Sequence, residues 1–226
     1  MNETLVSVQK LTKSFDTAAE HLVILDSLDL DIPVRSKTVI LGESGCGKST
    51  LLNIIGGLES PSSGSVIAGS FRADALDEHD LARYRGSYIG LVFQFHYLLK
   101  DFTALENVML PAYMQGMKKK DALDRARQLL SDVHLDTRMN HFPSQMSGGE
   151  RQRAAVARAL INQPPLVLAD EPTGNLDPAN SAMVMEILFS VVTTYGSTLI
   201  MVTHDQSTTA LAESAYRLIG GKLVKQ

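Results

Sequence analysis

Gly42-Glu43-Ser44-Gly45-Cys46-Gly47-Lys48-Ser49 is a complete G-x-x-x-x-G-K-[ST] phosphate-binding loop. The apolar run Val39-Ile40-Leu41 before it predicts a buried strand, and Thr50-Leu51-Leu52-Asn53-Ile54-Ile55 after it predicts the start of a helix. Strand, loop and helix in that order are the context the motif requires. Glycines let successive backbone N–H groups turn inward without a Cβ in the way, and the helix N-terminus adds its positive end. Lys48 supplies a point charge for the β- and γ-phosphates, and the Ser49 hydroxyl can ligate Mg²⁺. Gly42 to Thr50 is therefore the expected phosphate cradle.

Two other apolar runs end in polar groups. Leu166-Val167-Leu168-Ala169 runs into Asp170-Glu171, and Leu199-Ile200-Met201-Val202 runs into Thr203-His204. Wholly apolar runs of this length predict parallel strands covered on both faces. In open α/β sheets ligands sit at the carboxyl ends of the strands, so neighbouring strands would bring all three groups to one nucleotide. The first carboxylate, Asp170, can hold Mg²⁺, commonly through water, and the second, Glu171, is placed to activate the attacking water. An acidic pair can also cap a helix or meet an arginine. A lone strand-end histidine is usually a satisfied rim residue, but in this company His204 can donate to the γ-phosphate or position the water.

The 226 residues suffice for one large α/β domain or a core with a small subdomain. With 21 basic against 25 acidic residues, a net charge of −4, nothing suggests a nucleic-acid surface. Lys118-Lys119-Lys120 reads as a solvated loop or first helical turn. The single cysteine, Cys46, excludes an internal disulfide, fits a reducing cytosol, and reads as a small side chain that suits the loop. Met1-Asn2-Glu3-Thr4 lacks a signal peptide's basic flank and apolar core, and no apolar run approaches the roughly 20 residues of a bilayer span, so a soluble chain is expected.

Leu5-Val6-Ser7-Val8, Leu22-Val23-Ile24-Leu25 and Leu28-Asp29-Leu30-Asp31-Ile32 predict strands, the last ended by Pro33. The turn cluster Glu59-Ser60-Pro61-Ser62-Ser63-Gly64 leads to another strand at Ser65-Val66-Ile67-Ala68, which together suggest an antiparallel sheet. The middle, roughly Asp101 to Gln163, reads as helical. Thr103-Ala104-Leu105-Glu106 and Ser147-Gly148-Gly149-Glu150 match the capping box that opens a helix.

Over essentially its whole length the chain resembles ATP-binding-cassette (ABC) ATPases. The feature that separates this family from other phosphate-loop proteins is Ser147-Gly148-Gly149-Glu150-Arg151-Gln152, here preceded by Met146 where the family usually has leucine. A helix cap and an anion site are compatible, because the same exposed N–H groups can face a phosphate. The resemblance implies that Ser147, Gly148 and Gly149 touch the γ-phosphate of ATP held by a second copy. Gln94, in Val92-Phe93-Gln94, matches the glutamine that contacts Mg²⁺ and senses a transport subunit. Asp177, in Asn175-Leu176-Asp177, lies in the loop that crosses the dimer interface. Phe15, in Lys13-Ser14-Phe15, stands where an aromatic ring, often Tyr, stacks on adenine. The implied fold is an α/β phosphate-loop NTPase core with a mostly parallel sheet and an antiparallel β-subdomain, over residues 1–93 and 164–226. A helical subdomain is inserted at about 94–163. The implied mechanism is a head-to-tail dimer around two Mg²⁺·ATP, with Glu171, His204, Lys48 and Gln94 as catalytic groups.

Phe95-His96-Tyr97-Leu98-Leu99-Lys100-Asp101-Phe102-Thr103-Ala104-Leu105-Glu106-Asn107-Val108 and Ala169-Asp170-Glu171-Pro172-Thr173-Gly174-Asn175-Leu176-Asp177 are similar to the lipoprotein-releasing (Lol) branch of that family. This branch is related to the macrolide-exporter and cell-division (FtsE-like) ATPases. Lys100 departs from the proline expected in the lipoprotein-releasing type. The aromatic and aliphatic side chains from Phe95 to Asn107 read either as packing or as a groove for a membrane permease. The resemblance places the chain at the cytoplasmic face of the inner (plasma) membrane, peripherally, through that partner. A mechanotransmission ATPase of the division type is the alternative. A soluble ABC protein of translation or DNA repair is disfavoured, because paired cassettes, coiled-coil insertions and basic surfaces are missing. Glu171 and His204 argue against a non-hydrolysing module.

Overall fold

The computed structural model describes residues 3–16 and 21–226. The chain forms β1 (Thr4–Asp16), β2 (His21–Pro33), β3 (Lys37–Leu41), α1 (Lys48–Ile55), β4 (Ser63–Ala68), β5 (Phe71–Arg72) and α2 (Glu78–Arg83). Next come β6 (Ile89–Phe93), α3 (Ala104–Met114), α4 (Lys119–Asp132), α5 (Gly148–Leu160), β7 (Leu166–Asp170) and α6 (Pro178–Thr194), then β8 (Thr198–Thr203), β9 (Ser214–Ile219) and β10 (Lys222–Lys225). These elements divide between two compact units: residues up to Arg85 together with Thr198–Gln226, and Gly86–Ser197.

In the first unit β1 pairs antiparallel with β2 and β4, and β4 with β5. The runs Leu22–Leu25 and Leu28–Ile32, expected as two strands, are one strand with a bulge between them. Ser27 on β2 and Lys10 on β1 both take φ of 48°, and the pairing register shifts near each of them. Side chains satisfy the displaced backbone: Ser27 N–H donates to Thr12 Oγ1 at 3.1 Å, and Lys10 N–H to Asp29 Oδ1 at 2.9 Å. The bulge restores the inward register, so Leu25, Leu28, Leu30 and Ile32 are all buried.

β3 lies between β8 and β9 and runs parallel to both, with Leu41 opposite Thr203 on one side and Arg217 on the other. Val39–Leu41 and Leu199–Val202 are wholly buried, as expected from their composition. β9 and β10 form a hairpin through Gly220-Gly221, both at positive φ. Gly-Gly between two short runs is a hairpin signal that the reading of the sequence left unused.

In the second unit β6 pairs parallel with β7, with Phe93 opposite Asp170. The stretch expected to be helical holds α3, α4 and α5, and Lys118-Lys119-Lys120 forms the cap and first turn of α4, exposed to solvent. Tyr195, at the end of α6, donates to Asp132 of α4 at 2.6 Å; burial and that bond push its phenol up to about 12. α5 crosses β6 at Gly90, where a Cβ would meet the Ala159 carbonyl oxygen at 2.4 Å and the Pro164 ring at 2.9 Å. Both neighbours are firmly anchored, so Gly90→Ala should cost about 1–3 kcal/mol, read as a lowered urea midpoint with unchanged slope.

Candidate functional site

The phosphate loop leaves β3 directly and ends as the first turn of α1. Gly45 and Gly47 take φ of 79° and 104°. At Gly47 a Cβ would also stand 2.7 Å from Ile24 Cγ2, so both backbone angle and packing require glycine. No side chain caps the N-terminus of α1 and no acidic residue occupies its first turn, which leaves its positive end to an anion. Lys48 is 6% exposed, and its ammonium donates to the carbonyl oxygens of Gly42 and Glu43, each at 2.9 Å. Those two acceptors hold the charge within the concavity of the loop. Cys46 Sγ packs against Gly42, where a Cβ would lie 2.5 Å away; the thiol fills space, as its size suggests.

A cleft beside the loop is lined by Phe15, Ile24, Gly45, Gly47, Lys48, Ser49 and Thr50. Phe15 is 41% exposed, and Lys13 Nζ sits 4.8 Å from its ring centroid while pairing with Glu59 at 3.0 Å. The structure thus brings Phe15 to the phosphate loop as an exposed aromatic face. Ile24 and Lys13 were not singled out from the sequence, although Lys13 and Phe15, two apart on a strand, share a face. The parallel register also sets His204 beside the loop, because it follows Thr203, the partner of Leu41. Asp205 caps the turn after it by accepting from Ser207 N–H at 2.9 Å, which fixes where the chain leaves the strand.

In the second unit the same register logic joins Asp170 and Glu171 to Gln94. Phe93 and Asp170 are partners, so Gln94 and Glu171 leave adjacent strand ends. Glu171 takes φ of 44°, a left-handed conformation uncommon for a residue other than glycine. Strained backbone of this kind concentrates at functional sites. The Glu171 carbonyl accepts from Gly174 N–H at 3.0 Å, closing a turn that presents Asn175 to the Gln94 side chain.

Ser147 caps α5 in the expected box: its Oγ accepts from Glu150 N–H at 3.2 Å, and Glu150 Oε2 accepts from Ser147 N–H at 2.7 Å. Arg138 adds a charged bond to Glu150 at 2.8 Å. The Ser147 N–H, foremost, holds the Glu150 carboxyl below its ordinary range, with Arg138 assisting. Gly148 and Gly149 lie against the segment that carries Asp177. A Cβ on Gly149 would meet Asn180 Oδ1 at 2.6 Å, and one on Gly148 would meet Leu176 at 3.2 Å. Asp177 caps α6 by accepting from Ala179 and Asn180 N–H, and its carboxyl is lowered chiefly by the Asn180 amide. The structure therefore places Ser147, Gly148, Gly149 and Asp177 together on one unit. Gln152, one turn further along α5, donates to the Phe93 carbonyl at 2.8 Å and fixes the strand end that carries Gln94.

The aromatic segment is built around Asn107, which is 1% exposed. Its Oδ1 accepts from Leu99 N–H at 2.7 Å, and its Nδ2 donates to the Leu99, Phe102 and Thr103 carbonyls at 2.9–3.1 Å. Arg158 of α5 donates to the Tyr97 and His96 carbonyls at 2.7 and 2.8 Å. Pinned from both sides, the segment exposes Phe95 by 61% and Tyr97 by 62%, while Leu98 is buried. Packing and exposure belong to alternate side chains of one loop. Burial, assisted by Arg151 and Arg158, lowers the His96 imidazole, which accepts from Leu98 N–H.

The side chains expected to hold a metal, Ser49, Gln94 and Asp170, offer hydroxyl, amide and carboxylate oxygen. Each of these oxygens is of a kind that suits a hard cation, and Mg²⁺ commonly takes one or two such groups along with waters and substrate phosphates.

The family model described as ABC transporter matches residues 25–174. The chain is 58% identical over 223 residues to a Treponema denticola protein named lipoprotein-releasing system ATP-binding protein LolD, covering 99% of each. Proteins of the same name from Treponema pallidum and Legionella pneumophila are 52% and 45% identical, covering 100% and 91% of each chain. Among solved structures, the fold is similar to the dimeric ATP-binding cassette MJ0796 in a post-hydrolysis state bound to ADP and Pi. The TM-score is 0.89 at 36% identity, over 98% of this chain and 97% of that one.

Glu150 and Glu106, the acidic members of the two capping boxes, are both held below the ordinary glutamate value of 4.5 in the fold. A depressed carboxyl stabilises above its unfolded pKa and loses that contribution as pH falls through the folded value. Glu150→Gln should lower stability at neutral pH and make the acid-induced decline below about pH 4.5 shallower, as measured by urea midpoints across pH.

Proposed function

The chain belongs to the ABC transporter family, as an ATP-hydrolysing cassette, and we propose that it powers a membrane permease in lipoprotein release. The observation that carries the reading is Glu171, an acidic residue with left-handed backbone just beyond the end of β7 and beside Gln94, in a chain with an intact phosphate loop. Lys48 and the loop N–H groups hold the phosphates, and Phe15 stacks on adenine. Ser49, Gln94 and Asp170 supply oxygens to Mg²⁺, which when bound neutralises charge on the β- and γ-phosphates. Glu171 accepts the proton of the attacking water, and His204 donates to the γ-phosphate. Ser147, Gly148, Gly149 and Asp177 serve the nucleotide of a second copy, so that two copies close head-to-tail on two ATP. The dimeric state of MJ0796 bound to ADP and Pi supports this arrangement.

Among the described residues no helix is long and apolar enough to cross a membrane, so force must pass to a partner by docking. The exposed aromatics from Phe95 to Phe102, on a loop pinned by Asn107 and Arg158, are the proposed permease contact at the cytoplasmic face. The names of relatives from Treponema and Legionella support lipoprotein as the cargo.

Glu171→Gln should retain ATP binding, nearly abolish hydrolysis and accumulate ATP-bound dimer. The tagged variant, trapped with ATP in solubilised membranes, should recover a permease with a large extracytoplasmic domain. Recovery of cell-wall enzymes or division proteins would favour the mechanotransmission reading, and wild-type turnover in the variant would remove Glu171 from the base role. Ser147→Arg should block hydrolysis while leaving ATP binding to the monomer intact; equilibrium dialysis with ATP distinguishes this from a folding defect.

A further inference from the structure

We propose that Asn175 is a positioning residue for the metal: it sets which end of the Gln94 amide is presented, turning the oxygen away from itself and toward Mg²⁺. The inference rests on the reading of Gln94 as a metal ligand. A glutamine amide has two chemically opposite ends, and only its oxygen can ligate a cation. A half-turn of the terminal torsion would present N–H groups instead. That torsion is soft, so an external contact must decide it.

The deciding contact starts from the backbone. The Gln94 carbonyl can only accept, so the end of the Asn175 amide that approaches it, at 3.5 Å, must be Nδ2. Asn175 Oδ1 is then left to face the Gln94 side chain, and the group that meets it at 3.1 Å must be a donor, Nε2. Gln94 Oε1 consequently faces away from Asn175. Orientation is inherited from a fixed carbonyl through two amides.

The surroundings support this role. At Gly174 a Cβ would stand 2.9 Å from Gln94 Nε2, so glycine leaves room for the amide to lie against the turn. Gln152 anchors the preceding carbonyl, that of Phe93, at 2.8 Å. The turn bearing Asn175 hangs from the Glu171 carbonyl through Gly174 N–H at 3.0 Å. Backbone geometry at the proposed base and orientation at the proposed metal ligand are therefore linked by one turn.

The test measures Mn²⁺ affinity with a non-hydrolysable ATP analogue, reading free Mn²⁺ by electron paramagnetic resonance. Asn175→Leu should weaken Mn²⁺ binding about twofold, because the amide then populates both flips and only the one with its oxygen forward can ligate. Nucleotide affinity in excess chelator and the thermal midpoint should stay at wild-type values, which a merely structural role would not allow. In a Gln94→Glu background both ends of the side chain are oxygen, so Asn175→Leu should there have little further effect. Asn175→Ala replaces the leucine variant if that one does not fold. An equal loss in both backgrounds, or none in the native one, overturns the positioning role. Unchanged Mn²⁺ affinity in Gln94→Ala would sink the ligand reading itself, and the inference with it.

Discussion

Parallel pairing brings the carboxyl ends of neighbouring strands to the same level, and the phosphate loop, Gln94, Asp170, Glu171 and His204 lie at or just beyond such ends. Leu41 opposite Thr203 puts the phosphate loop beside His204, and Phe93 opposite Asp170 puts Gln94 beside Glu171. A slip of one residue in either pairing would separate these groups, because successive side chains point to opposite faces of the sheet. In each pairing the placement of these groups is therefore set by register. That is why wholly apolar runs, such as Leu199–Val202 within β8, matter to the chemistry.

Around the strand ends, polar side chains work in chains of fixed direction. A carbonyl can only accept and a backbone N–H can only donate, so each contact orients the next. The capping box of Ser147 and Glu150 is one case, strengthened by Arg138. The Gln94–Asn175 pair is another, and Gln152 links α5 to the strand beneath it. Such links give the helix that begins with Ser147 a short route to Gln94 within one compact unit. The exposed segment from Phe95 follows Gln94 directly, so a partner docked there would act one residue away from the proposed metal ligand.

The aromatic segment shows how a loop can be ordered and sticky at once. Asn107 spends its whole amide on four backbone contacts from within a nearly solvent-free site, where unmade bonds would be costly. Arg158 holds the other end by two carbonyls. Rigid backbone lowers the entropic cost of docking, and the outward aromatics supply apolar contact area.

The sequence by itself determined the phosphate loop, both capping boxes, the doubly buried strands and the family, because each is written in residues adjacent along the chain. Glycines at fixed spacing, four apolar residues before an acid, and serine three before glutamate carry their geometry locally. Tertiary structure alone decided the rest. The bulge at Ser27 joined two expected strands, since it depends on partners across β1. Asn107 as a hub, Arg138 on Glu150 and Ile24 against the loop were not legible either. Asn175 and Gln94 stand 81 residues apart, and no local pattern tells an asparagine which amide it will meet. That pairing exists only once β6 and β7 are in register, because hydrogen-bond direction is a property of neighbours in space.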